Sequence, residues 1–132
     1  KELDPFVIAS GTRMGHVHLS VKNSREASSF YQESLGLEDK FTIPHASWIA
    51  SGAYHHHLAV NEWGGKNLAP RDHRMAGLAY YVVEVENKEY LVNLFAQAQD
   101  RHGQLQWISS SEFSITDKDG LVTHVRVGAR RL

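Results

Sequence analysis

The stretch Met14–Val21, MGHVHLSV, decides how the chain is read. His16, His18 and Ser20 alternate with Val17, Leu19 and Val21, the period-two pattern of a strand with one polar and one apolar face. Asn23 then stands as an N-cap with Glu26 at the third helical position, and Ala27, Phe30, Tyr31, Ser34 and Leu35 recur at helical spacing until Gly36 stops the run. Two short strand-like segments follow, LEDKFTI and ASWIASG, separated by Pro44, and after Gly52 comes AYHHHLAV, which reads as another strand. The first half is therefore β-α-β-β-β.

The same order returns further along. Asn61–Met75 carries Gly64, Gly65 and Pro70 without a clean period and reads as a connection, its Trp63 expected to pack against the body of the domain. GLAYYVVEV, Gly77–Val85, is a strand rich in aromatic and β-branched residues, and Asn87 caps a helix in which Leu91, Leu94, Phe95 and Ala98 share a face, ending near Gly103. QLQWIS, EFSIT and, after a DKDG turn at Asp117–Gly120, LVTHVRVG complete a second β-α-β-β-β unit. A repeat of this kind is itself a fold signal. It predicts an α+β domain over residues 13–132, with modules at 13–62 and 76–128. Residues 1–12, holding Pro5 and Gly11, form an arm or linker, and the start at Lys1 rather than methionine suits a processed, trimmed or excised piece of a longer protein.

Composition narrows the function. With 132 residues there is enough chain for one core, and 14 basic against 15 acidic residues, spread without runs, give no electrostatic footprint for nucleic acid or an anionic membrane. Cysteine is absent, which removes disulfides, thiolate nucleophiles and cysteine-ligated metals, so any ion must be held by nitrogen and oxygen. No apolar run is long enough to span a bilayer and no signal peptide opens the chain, so a soluble cytoplasmic protein is expected.

The run His55–His57 is the densest chemistry in the sequence. On a strand, His56, Leu58 and Val60 would share one face and His55, His57 and Ala59 the other, so the three could not all ligate one ion. An internal position followed by LAVNEW does not suit a purification tag, and the choice left is between cavity-facing histidines and a structural cluster. His18 shares the face of His16, while His45, His73 and His102 fall in turns and are expected to be solvated. Phe30, Tyr31 and Phe95 sit at core spacing.

GHVHLSV followed by REASSFYQESLGL resembles the opening strand and helix of the vicinal oxygen chelate superfamily, which includes glyoxalase I, fosfomycin and bleomycin resistance proteins and extradiol ring-cleavage dioxygenases. GTRMGHVHLSV together with SGAYHHHLAVNEWGG is similar to the C-terminal domain of bacterial two-domain catechol 2,3-dioxygenase-like proteins. The resemblance covers the chain from Thr12 onward. It implies two modules curling a mixed sheet around one cavity, a divalent metal such as iron, manganese or zinc held by two histidines and a glutamate, a small aromatic substrate and a homodimer. Carried over position by position, the first ligand is His16. The second aligns with Tyr80 in YYVV, and the third, the glutamate ending the pattern DPDGNxIEL, aligns with His124 in DKDGLVTHV.

The resulting set of His16, Tyr80 and His124 lacks the carboxylate on which ferrous non-haem chemistry usually rests, and a phenol ligates poorly until its proton, with a pKa of about 10, is lost. In ring-cleaving relatives a non-ligand histidine acts as acid/base beside the ion, and alignment through LAV makes that residue His56. Two readings follow. One is a metal-dependent ring-cleavage dioxygenase or related lyase acting on a small aromatic diol through a degenerate metal site; the other is a metal-free domain that binds a small molecule, as bleomycin resistance proteins do. Glu62, Glu84 and Glu112 are sequence neighbours that could replace the missing carboxylate.

Overall fold

The computed structural model describes residues 7–101 and 103–128. The order is β1 (Val17–Ser20), α1 (Ser24–Leu35), β2 (Glu38–Ile43), β3 (Ala46–Ala50), β4 (Leu58–Asn61), β5 (Tyr81–Val85), α2 (Lys88–Gln99), β6 (Gln104–Ser109), β7 (Glu112–Thr116) and β8 (Val122–Val127). This is the duplicated β-α-β-β-β order read from the sequence. The strands form two four-stranded mixed sheets, β1-β4-β3-β2 and β5-β8-β7-β6, which share one connection pattern. In each module the first and last strands run parallel, which requires a crossover, and the helix is that crossover. The bulges repeat too, one between Asp39 and Phe41 and one between Trp107 and Ser109.

The local signals act as their chemistry requires. Asn23 accepts from the Glu26 amide and Asn87 from the Tyr90 amide, so each helix starts on a side-chain cap. Gly36 ends α1 in the left-handed region at φ 68°, where a side chain would be strained. Gly120 closes the Asp117–Gly120 turn at φ 78°, and an added Cβ would lie 2.7 Å from the Arg71 carbonyl oxygen. Trp63, expected to pack inward, is 69% exposed. Lys1–Phe6 of the arm and His102 lie outside the described residues; Val7–His16 contains no helix or strand. Among the described residues no helix is long and apolar enough to cross a membrane.

One core serves both modules. Leu19, Val21, Ala27, Tyr31, Leu35, Ile49, Leu58 and Val60 from the first pack in the same cluster as Val85, Leu91, Leu94, Phe113, Ile115 and Val125 from the second. Along β4, β7 and β1 with its extension to Val21 these core residues alternate, as Leu58/Val60, Phe113/Ile115 and Leu19/Val21, and the helices cover the same face. Polar ties reinforce the seam between modules: the buried Tyr31 hydroxyl donates to Asp117, and the Lys22 amide donates to Asp119 at 2.9 Å. Burial pushes the Tyr31 phenol and the Asp117 carboxyl up, favouring their neutral forms. Within the first module, Glu62 just beyond β4 accepts from both the amide and the hydroxyl of Ser24, at 2.8 and 2.9 Å, at the start of α1.

Two measurements check these ties. Tyr31→Phe leaves an Asp117 oxygen without its donor and should lower the urea-unfolding free energy by about 1–3 kcal/mol. Glu62 is held below the ordinary value of 4.5, first by the Ser24 amide, then by the Ser24 hydroxyl and His45. Its folded pKa is depressed, so its contribution is complete above the ordinary, unfolded value of 4.5 and is lost as pH falls through the lower folded pKa. Glu62→Gln should therefore destabilise at pH 7 by about 1–2 kcal/mol, and the gap from wild type should close in acid.

Candidate functional site

The site begins where two parallel strands start. β1 and β4 pair with Val17 opposite Leu58 and Leu19 opposite Val60, so their apolar side chains face the core together. His18 is paired with Ala59 and takes the opposite face, which also carries Trp48, opposite Ala59 on β3. Phe41 packs against Trp48 with ring centroids 5.5 Å apart. The open face of the first sheet is thus an aromatic wall bordered by histidine.

The histidine run is not strand. β4 begins only at Leu58, and Ser51–His57 is a turn and bend. Strand alternation therefore does not govern His55 and His56. His57 is the structural member: its amide donates to Ile49 and its carbonyl accepts from Val17, while its Nδ1 accepts from the Ser51 amide at 3.1 Å and closes the turn. Freed from alternation, His56 turns toward β1. Its ring lies 4.2 Å from that of His16 and 5.3 Å from that of His18, centroid to centroid, and its Nε2 stands 3.2 Å from Nε2 of His18. His55 reaches His56 from behind, Nδ1 to Nδ1, at 2.6 Å. Burial, then the neighbouring His16, His55, His18 and His57, hold the His56 imidazole below its ordinary value and keep it neutral at pH 7.

The second module presents a different group. Tyr80, just before β5, stacks on the ring of His124 with centroids 4.0 Å apart and planes 15° from parallel. Glu112 Oε2 lies 3.4 Å from His124 Nδ1. On the same face, Glu84 is paired with Arg126 at 3.1 Å. Of the three glutamates named from the sequence, Glu62 caps α1, Glu84 is engaged by Arg126, and Glu112 alone sits beside a proposed ligand. The DKDG turn could have revealed this, because it fixes the β7–β8 register that sets Ser114 opposite His124 and Glu112 opposite Arg126.

The residues named from the sequence thus fall into two gatherings. His16 stands with His18 and His56, and Tyr80 stands with His124. Among the described residues, one group of three His, Cys, Asp or Glu side chains brings its ligand atoms within 4.8 Å of one another, and it is His16, His18 and His56. An all-imidazole set suits zinc and similar borderline ions and lacks the carboxylate of ferrous oxygenase sites. A cavity of about 270 Å³ lies alongside, lined by His16, Val17, His57 and Leu58 from the first module and by Tyr81, Val82 and Glu84 from the second. A larger groove of about 950 Å³ runs past α1, the connecting loop and the Asp117–Gly120 turn, lined by Lys22, Arg25, Phe30, Glu33, Leu68 and Asp119 among others, away from the histidines.

No family model matches the sequence. Over 86 residues, 64% of this chain, it is 35% identical to catechol-2,3-dioxygenase of Bacillus subtilis (strain 168), and the match spans 30% of that protein's length. Among solved structures, a glyoxalase/bleomycin resistance protein/dioxygenase family enzyme from Burkholderia phytofirmans PsJN has a TM-score of 0.63 at 15% identity, covering 86% of this chain and 96% of its own. Lactoylglutathione lyase from Agrobacterium tumefaciens gives 0.64 at 14% identity, with coverage of 91% and 96%. At these identities the structural likeness concerns the fold.

The turn geometry yields a check on the histidine run. His57→Ala should cost about 0.5–1.5 kcal/mol of stability through the lost Ser51 contact. His55→Ala, at an exposed side chain, should change the urea midpoint far less.

Proposed function

Because the chain has the vicinal oxygen chelate fold, we propose that it acts on a small aromatic diol with the help of a divalent metal ion. The observation that supports this reading is the meeting of His16 and His56, rings 4.2 Å apart, beside His18. Similarity to part of a catechol-2,3-dioxygenase supports the choice of a small aromatic diol. A bound divalent ion would supply Lewis acidity toward the two adjacent oxygens of the diol.

The chain's own residues do the rest. His16 belongs to the ion-holding set, as the resemblance implies. The His56 imidazole, neutral at pH 7, offers a lone pair at the same place, where it can take a proton or bind an ion. Trp48 and Phe41 provide an apolar aromatic surface against which a flat ring can lie. Tyr80 and His124, stacked on one another, bring a phenol and an imidazole on the second module, and Glu112 favours the His124 tautomer with the proton on Nδ1.

A metal-free binding domain is the competing reading, favoured by the histidine at position 124 in place of a carboxylate. Calorimetric titration of catechol separates the two. Binding to chain loaded with iron, manganese or zinc should be at least about tenfold tighter than to chelator-treated chain, and His16→Ala should abolish the difference. Equal affinity with and without metal would replace the metal-dependent reading by the metal-free one, and dioxygen uptake with iron-loaded chain would identify ring cleavage.

A further inference from the structure

We propose that the ion is held within the first module alone, by His16, His18 and His56, and not by the set spread over both modules that the resemblance implies. This deepens the metal-dependent reading above and rests on it.

Three observations carry the assignment. The first is proximity: one ligand atom from each of these histidines lies within 4.8 Å of the other two. At metal–nitrogen distances of about 2.0–2.1 Å, two imidazole nitrogens on one tetrahedral ion stand roughly 3.3–3.4 Å apart. His18 Nε2 and His56 Nε2 are already 3.2 Å apart, so the remaining adjustment is a side-chain rotation of the exposed His16.

The second observation is the outer contact. His55 Nδ1 stands 2.6 Å from His56 Nδ1, so one of the two rings carries the shared proton. With that proton on His56, the His56 Nε2 lone pair accepts from the His18 Nε2–H, and an ion entering between the two nitrogens takes the place of that proton, which moves to His18 Nδ1. A ligating imidazole characteristically donates its other N–H to an outer carboxylate, carbonyl or water, which fixes both tautomer and ring orientation, and here the His55 imidazole stands in that place. The contact accounts for a histidine beside the set that is not itself a ligand.

The third concerns the alternative donors. Tyr80 and His124 lie flat on one another, and His124 Nδ1 faces Glu112. The carboxylate nearest to that pair is thus engaged by a histidine. On the first module the rings around His16 are instead those of His18, His55 and His56, with centroids 4.9, 6.1 and 4.2 Å away. Three neutral nitrogen donors with an open fourth position favour zinc, cobalt, nickel or copper over the iron implied by a dioxygenase.

The test is metal binding by the whole chain. Zinc affinity by calorimetry and the visible spectrum of the cobalt form are measured for wild type, His18→Ala, His55→Ala, and the double variant Tyr80→Phe/His124→Ala. The prediction is one ion per chain and a tetrahedral cobalt spectrum. His18→Ala should lower affinity at least about tenfold and His55→Ala by about tenfold, the scale of losing a ligand and an outer partner. The double variant should bind within about twofold of wild type, since it removes no donor of this set. His18 is exposed, and unchanged urea midpoints confirm that the variants fold. Wild-type affinity in His18→Ala, or loss of the ion in the double variant, overturns the first-module site while leaving metal dependence standing. A wild-type chain that takes up no ion overturns both, and catechol binding to the metal-free chain then decides the small-molecule reading separately.

Discussion

Everything in this molecule depends on the parallel pairing of the first and last strands of each module. Parallel neighbours cannot be joined by a tight turn, so the chain must leave the sheet, cross over as a helix and return through two antiparallel strands. That requirement gives the helix a sheet to cover and the sheet an apolar face to bury. It also brings the entries of β1 and β4 to the same end of the sheet, with Val17 opposite Leu58. His16 and the His55–His57 turn precede those entries, so residues far apart in sequence arrive side by side without any direct attraction between them.

The architecture was legible because each element carried several agreeing signals. Asn23 and Asn87 marked helix starts that the structure keeps, and alternation in GHVHLSV separated the core-facing Leu19 and Val21 from the opposite face. Consistency of this kind across levels is what specifies a fold. The site was less legible because its residues lie where periodicity ends. His56 was assigned to a face as though it belonged to a strand, yet β4 starts at Leu58 and the turn before it obeys the Ser51–His57 contact instead. The pairing of Glu112 with His124 needed the strand register, which local patterns do not display until a turn is fixed.

The two modules share a scaffold and have parted in chemistry. Corresponding open faces carry His18, Trp48 and Ala59 on one sheet and Glu84, Arg126 and His124 on the other. Partner choice explains much of the difference. On the second sheet each charge has a neighbour of opposite sign or a stacked ring, which settles it in place. On the first, imidazoles face imidazoles, each N···N contact needs one ring to carry the proton, and a cation can take that proton's place.

The duplicated bulges bear on a different property, solubility. Each sheet has an edge strand, β2 or β6, whose outer row of amides and carbonyls has no strand partner among the described residues. A flat edge of that kind is a template for another molecule's strand, and Phe41, Ile43 and Ile108 would add apolar side chains to the match. Each edge strand is instead broken at its bulge, which locally bends it and interrupts the ladder. A kinked edge cannot extend in register, so sheet growth is hindered at the β2 and β6 edges by one device, copied along with the module that carries it.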